Sequence, residues 1–403
     1  MLQECYSAIK RWLKTITLDV RDTVILSSHF RLSIAFPRLL DLTVLIVLLL
    51  YAARFPAHAS DHAKVQSKHG YSIDFGGSTR IPQSSPIPVA QLKAEAESGD
   101  ALAENNLAYL YTFGLDVGQD YSDASRWFAK AAAQDFAAAQ YNLGTLYERG
   151  LGVSRDLRLA LKWYQLAAQH GHVLAQARLG FLYEQGREIP ANLSEAMRWY
   201  RAAAEQGDPS AECNLALGYL SGRGVPRDLV LAARLFRKAA EAGLPAAQNN
   251  LAALYHHGWG LATDYDLALR WYRAAAEQGL AEAKNSIGVM YQDGLGVLKD
   301  YAQAARWYRA AAEQGDIAGQ YDLATLYAAG RGVPLDYVSA YVWYSFAASA
   351  GDQQSGRQLR ALGKLMTSRQ LQEAQVQIAE CQRTNSTSGE GEAAGLTIFP
   401  ERK

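Results

Sequence analysis

The amino-acid sequence predicts an all-α solenoid of seven helix-turn-helix units with capping helices. Three observations lead there. The chain aligns with itself at a spacing of 36 residues, seven times running, without insertion or deletion. A period of this length marks a repeat array, which grows by adding units rather than by enlarging one core. Trp127, Trp163, Trp199, Trp271, Trp307 and Trp343 share one column of that register, and Leu235 fills its vacancy, so six of the eight Trp occupy one repeat position. Finally, each unit holds two stretches with apolar residues at helical spacing, separated by glycines.

Taken in order, the elements begin with an export signature. Residues 1–38 carry Lys10, Arg11, Lys14, Arg21, Arg31 and Arg38; an apolar run from Leu42 to Ala53 follows, then Pro56-Ala57-His58-Ala59. A basic flank, a short apolar core and a small-residue site are the parts of a secretory signal peptide. The core is short for a spanning helix, which needs about 20 residues. Residues 1–59 therefore read as a signal peptide cleaved near Ala59 or a signal anchor spanning 39–57. Either form places the rest outside the cytoplasm, in a periplasmic or other extracytoplasmic space, since the basic flank stays inside. Residues 60–88 hold Gly70, Gly76, Gly77, Pro82 and Pro86 without apolar period and read as a flexible linker.

The solenoid with its caps is predicted over 89–383. Ala90 to Gly99 resembles a lone second helix and caps the N-terminal end. The second copy, Ala139 to Gly171, shows how a unit works. Tyr141, Leu143, Leu146 and Tyr147 line one helix, which Gly150 ends; glycine accepts the left-handed conformation of a C-terminal cap. Gly152 turns the chain again, and Asp156 stands where the second helix begins, as a cap or first-turn acid. Ala160, Trp163, Tyr164, Ala167 and Ala168 then form an amphipathic stripe. Two small-residue columns, Ala108/Gly144/Gly180/Ala216/Ala252/Gly288/Ala324 and Ala132/Ala168/Ala204/Ala240/Ala276/Ala312/Ala348, let backbones approach. The Trp and Tyr columns read as filling the volume around them. Thr367 to Ala379 reads as a closing helix, with Thr367-Ser368-Arg369-Gln370 as a capping box. Residues 384–403, rich in Ser, Gly and Glu, read as a disordered tail.

The pattern small-x-Leu-Ala/Gly-x-Leu-Tyr, Gly-x-Gly-Val, Ala-x-x-Trp-Tyr-x-x-Ala-Ala-x-x-Gly appears in Leu143-Gly144-Thr145-Leu146-Tyr147, Gly150-Leu151-Gly152-Val153 and Ala160-Leu161-Lys162-Trp163-Tyr164. It resembles the Sel1-like repeat, a relative of the tetratricopeptide repeat, over roughly Ala101–Gly351. The resemblance implies a right-handed α/α superhelix that acts as an adaptor for other proteins, in signalling, envelope biogenesis, polysaccharide systems or host interaction. Departures are local: Asp116 and Asp135 replace glycines in the first copy, and Glu188-Ile189 replaces Gly-Val in the third.

Composition excludes several classes of function. Net charge is zero, so nothing points to nucleic acid. Three Cys, at 5, 213 and 381, do not make a disulfide scaffold, and a long solenoid keeps Cys213 and Cys381 apart. The Gly-x-Gly elements at 150/152, 222/224, 258/260, 294/296 and 330/332 follow helices, not strands, and read as turns rather than phosphate loops. His256-His257 and His170-x-His172 lack further ligands at metal spacing. Some Sel1-like proteins are described as β-lactamase-like, but Ser7-x-x-Lys10 is the single Ser-x-x-Lys here and it lacks the partner motifs of an acylating serine. The chain reads as a non-enzyme without cofactor or metal.

The remaining candidate is a surface. In related solenoids the first helices line the concave face, where Asn106, Asn142, Arg178, Asn214, Asn250, Ser286 and Asp322 form a column. Amides both donate and accept, so such a row suits an extended peptide's backbone; it equally suits bonds between neighbouring helices. The column Tyr109, Thr145, Phe181, Leu217, Ala253, Val289, Thr325 varies, as a contoured groove would. A protein or peptide partner is the leading expectation, with Asn106, Asn142, Arg178, Asn214, Asn250 and Asp322 as its contacts. An envelope component that meets glycan during polysaccharide or cell-wall assembly is the alternative.

Overall fold

Asp120, Asp156, Asn192, Asp228, Asp264, Asp300 and Asp336 share one repeat position, and in the computed structural model each caps a helix. Their side-chain oxygens accept first-turn N–H groups, as Asp156 does from Leu159 at 3.0 Å, so donors that the helix leaves unpaired are satisfied. The structure describes residues 88–387 apart from Glu188, together with 66–67 and 70–71. The export segment and the end of the chain lie outside the described residues.

Among the described residues are seventeen helices. α1 is Val89–Glu97. The first helices of the repeats are α2 (Ala101–Phe113), α4 (Ala137–Arg149), α6 (Val173–Gln185), α8 (Pro209–Ser221), α10 (Pro245–His257), α12 (Ala281–Asp293) and α14 (Ile317–Ala329). The second helices are α3 (Tyr121–Ala133), α5 (Leu157–Gln169), α7 (Leu193–Glu205), α9 (Leu229–Glu241), α11 (Tyr265–Glu277), α13 (Tyr301–Ala312) and α15 (Tyr337–Ser349). From α1 to α15 each helix packs on its neighbours in the chain, and the last described helix packs back on α15. The result is the all-α solenoid of seven helix pairs.

The column behind the Trp, not the Trp itself, fills the core. Phe128, Tyr164, Tyr200, Phe236, Tyr272, Tyr308 and Tyr344 are all buried, beside the fully buried Ala124, Ala160, Ala196, Ala232, Ala268, Ala304 and Ala340. Trp127, Trp163, Trp199, Trp271 and Trp307 are only half-buried. They pack over the edges of clusters that join neighbouring repeats, as Trp163 and Trp199 do. Trp343 alone of the column is fully buried, because the closing helix covers it. The reading of the Trp column as packing is thus sharpened: the indole seals a seam, and the aromatic next to it is the core.

The two sequence departures in the first copy have different physical reasons. Asp116 and Asp135 both take the left-handed conformation of the glycines they replace. The column of Asp135 needs only that conformation, since a β-carbon at Gly171, Gly207 or Gly243 would meet nothing. The column of Asp116 needs space as well. A β-carbon at Gly152 would overlap the Tyr121 carbonyl, and one at Gly224 or Gly260 would overlap that of Leu193 or Leu229. Each of these loops rests on the start of the preceding repeat's second helix. The first repeat has no full predecessor, so Asp116 is tolerated.

The ends depart from the sequence reading. A helix the pattern did not reveal, α16 (Gln353–Gly363), follows the seventh repeat. The closing helix α17 runs Ser368–Thr387, eight residues past the predicted end and four into the predicted tail. Its capping box is formed: Thr367 N donates to Gln370 Oε1 at 2.9 Å, and Gln370 N donates to Thr367 Oγ1 at 3.3 Å. In the linker, β1 (Gln66–Ser67) pairs antiparallel with β2 (Gly70–Tyr71). Cys213 and Cys381 are buried and form no disulfide among the described residues.

Candidate partner-binding surface

The polar column on the first helices is continuous, but the structure divides its members between two uses. Asn142 is 0 % exposed, and its amide donates to Asn105 Oδ1 at 3.2 Å. It stands between repeats and is closed to a partner, which corrects its place among the contacts. Asn250, 9 % exposed, bonds the Cys213 thiol in the same way, and burial raises that thiol to about 12. Asp322 takes a bond from Asn285. In all three cases the residue reaches back to the position before the column in the preceding repeat. The row is therefore partly a ladder along the seams, because an unpaired buried amide would be costly.

The other members are more open. Asn106 is half-buried and accepts from Asn105 Nδ2 at 3.4 Å. Asn214 is half-buried without a side-chain hydrogen bond among the described residues. Ser286 is half-buried and donates to the Glu282 carbonyl at 3.0 Å. Arg178 is ion-paired with Glu148 and lies 5.0 Å over the Phe181 ring. Burial opposes its charge, but the bond and charge of Glu148 outweigh burial and hold the guanidinium above its usual range. In the variable column Tyr109, Thr145 and Ala253 are buried, whereas Phe181, Leu217 and Val289 are half-exposed and Thr325 is exposed. The accessible part of the face thus lies on the third, fourth, sixth and seventh repeats, and the fifth, where Asn250 and Ala253 are both buried, interrupts it.

Three further sets of residues escaped the sequence reading. Gln140, Gln176, Gln248 and Gln320 are buried, and each donates to the carbonyl of an alanine ending the previous second helix: Ala132, Ala168, Ala240 and Ala312, at 3.1–3.3 Å. Glu104 and Glu212 hold the same position, and burial raises both carboxyls. A polar residue recurring inside an apolar turn was the available signal. Secondly, Arg201, Arg237, Arg273 and Arg309 donate to Tyr219, Tyr255, Tyr291 and Tyr327 of the following first helix. Thirdly, Tyr164 donates to Glu148 at 2.7 Å and Tyr200 to Glu184 at 2.9 Å. Burial first, then the glutamate, raises both phenols far above their ordinary range.

Elsewhere, His256 stacks on His257 and His257 on Trp259, with centroids 4.5 and 4.6 Å apart. Among the described residues no three His, Cys, Asp or Glu gather as metal ligands would. No described helix is long and apolar enough to cross a membrane; residues 39–57 lie outside the described set.

Known proteins agree with this architecture. The Sel1 repeat family model matches seven times, at 101–136, 137–172, 173–208, 209–244, 245–280, 281–316 and 317–352. A protective antigen of uropathogenic Escherichia coli that displays an SLR fold is 32 % identical, with 74 % of each chain covered and a TM-score of 0.56. A Sel1 repeat protein from Oxalobacter formigenes is 35 % identical, covering 68 % of this chain and 79 % of its own, with a TM-score of 0.56. No curated protein matches the chain. Sel1 repeat proteins generally mediate protein–protein interaction and are typically non-catalytic. With seven consecutive matches over more than half its length, the chain belongs to the Sel1 repeat family.

Proposed function

We propose that the chain is a non-catalytic scaffold that binds a protein or peptide along its first-helix face. The observation that carries this reading is the set of accessible, chemically varied side chains on the third, fourth, sixth and seventh repeats. Arg178, Phe181, Asn214, Leu217, Ser286, Val289, Asp322 and Thr325 alternate polar and apolar groups, while the columns around them stay uniform. Uniform positions hold a repeat together; the varied, accessible ones are left for a ligand. A solenoid offers such a surface without needing a pocket.

The scaffold acts outside the cytoplasm, delivered by residues 1–59 as a cleaved signal or as an anchor over 39–57. The basic flank and short apolar core support this. N-terminal sequencing of the mature protein separates the two forms, and an intact cytosolic chain overturns both.

The scaffold reading is tested by crosslinking in the native compartment with the full chain. A captured protein should be lost on Asn214→Ala, Leu217→Ala and Val289→Ala. Capture that is blind to all three changes, or binding to a glycan array in place of any protein, overturns it.

A further inference from the structure

Resting on the scaffold reading, we infer that the seam between the sixth and seventh repeats receives one cationic side chain, a guanidinium or ammonium group, from the peptide partner. The chain's own copies differ at this seam. In the second and third repeats, a buried tyrosine donates to a glutamate, and that glutamate also meets an arginine. Tyr164 and Arg178 converge on Glu148. Tyr200 donates to Glu184, with Arg223 at 3.7 Å. Tyrosine, carboxylate and cation close the seam together.

At the sixth repeat the tyrosine is Tyr308, 0 % exposed, and its Oη has no hydrogen-bond partner among the described residues. Gln292 stands at the glutamate position, with Asp293 beside it. Asp322 occupies the position of Arg178. Both carboxyls act on the Tyr308 hydroxyl, so two acids replace one acid and its cation. Among the described residues no ion pair supplies the positive charge. Arg331, at the loop position from which Arg223 reaches Glu184, lies instead over the Tyr301 ring at 5.7 Å. Neither Asp293 nor Asp322 is ion-paired among the described residues.

The seam is also rich in acceptors. Glu282 Oε2 and Asn285 Oδ1 are buried without donors among the described residues. A ligand that suits this place brings several N–H groups and a positive charge, as arginine and lysine do. A metal ion fits less well, since no three ligating side chains gather there. Asp322 lies half-buried on the accessible face, so a peptide crossing the first helices can reach it.

The probes are N-acetyl-arginine amide and N-acetyl-lysine amide, with N-acetyl-citrulline amide as the neutral control. Binding to the full chain is read by saturation-transfer NMR at pH 8. The expected result is binding of at least one cation, weakened about tenfold or more by Asp293→Asn. Asp322→Arg, which puts a cation at the position of Arg178, should abolish it. Equal binding of the citrulline amide, no binding of either cation, or wild-type affinity in both variants overturns the inference. Such a result leaves the scaffold reading standing, because capture through Asn214 and Leu217 does not depend on this seam.

Discussion

Gly180 lies under the ring of Tyr200 so closely that a β-carbon there would stand 2.5 Å from Tyr200 Cδ1. Gly144 and Gly288 bear the same relation to Tyr164 and Tyr308. Where the small column holds alanine, the aromatic is Phe128, Phe236, Tyr272 or Tyr344; where it holds glycine, the aromatic is always tyrosine. Small residue and ring are chosen together. Gly180→Ala should therefore cost about 1–3 kcal/mol through overpacking, and Gly180→Ala with Tyr200→Phe should recover part of the loss. Urea denaturation of the two variants checks this; equal losses would refute the pairing.

Tyr200→Ala removes a ring from a sealed core and should cost about 3–5 kcal/mol. Trp199→Ala removes a half-buried ring and should cost clearly less. The ranking is read from denaturation midpoints, and a larger loss at Trp199 would return the core to the Trp column.

Gly152 and Gly171 both have positive φ, of 67° and 81°, but only Gly152 is pressed against a neighbouring backbone. Gly171→Ala should cost about 1–2 kcal/mol, the strain of a left-handed alanine. Gly152→Ala adds an overlap with Tyr121 and should exceed about 3 kcal/mol. Limited proteolysis should cut the Gly152 variant near the junction of the first and second repeats.

Burial, with nearby acids, raises Asp322 to about 7 and Asp316 to about 6. An unfolded aspartate titrates near ~3.9. Between those values the folded chain holds protons that the unfolded chain has lost. The stability these groups contribute is thus full below the unfolded pKa and falls as pH rises through the folded values. Asp322→Asn should raise the melting temperature at pH 8, with the gain shrinking toward pH 4. Thermal melts of both proteins across that range decide it; a gain that grows on acidification has the wrong sign.

Much of the architecture was legible because seven copies report on one unit. Spacing located the paired helices, the caps at Asp156 and its equivalents, and the box at Thr367. The Trp column overstated its own depth, since a periodic aromatic shows that a position is used but not which side of it is covered. The polar column lined up as read, yet sequence could not separate Asn142, locked onto Asn105, from Asn214, left open. That difference depends on what the preceding repeat offers across the seam. The same limit hid Tyr308, whose isolation is visible only beside Tyr164 and Tyr200. Helix α16 was missed because Gln353–Gly363 carries little of the repeat's apolar pattern.

The seams also say something about order. Asn142 meets Asn105, Arg178 meets Glu148, Asn250 meets Cys213 and Asp322 meets Asn285. Seven near-identical units in one chain invite mispairing during folding, when a helix can dock on the wrong neighbour. Unlike seams make such mistakes unfavourable: the second repeat's Glu148 would find an asparagine in place of its arginine if the fourth repeat took the third's place. The backbone makes the units interchangeable, and the polar pairs between them give each one its address.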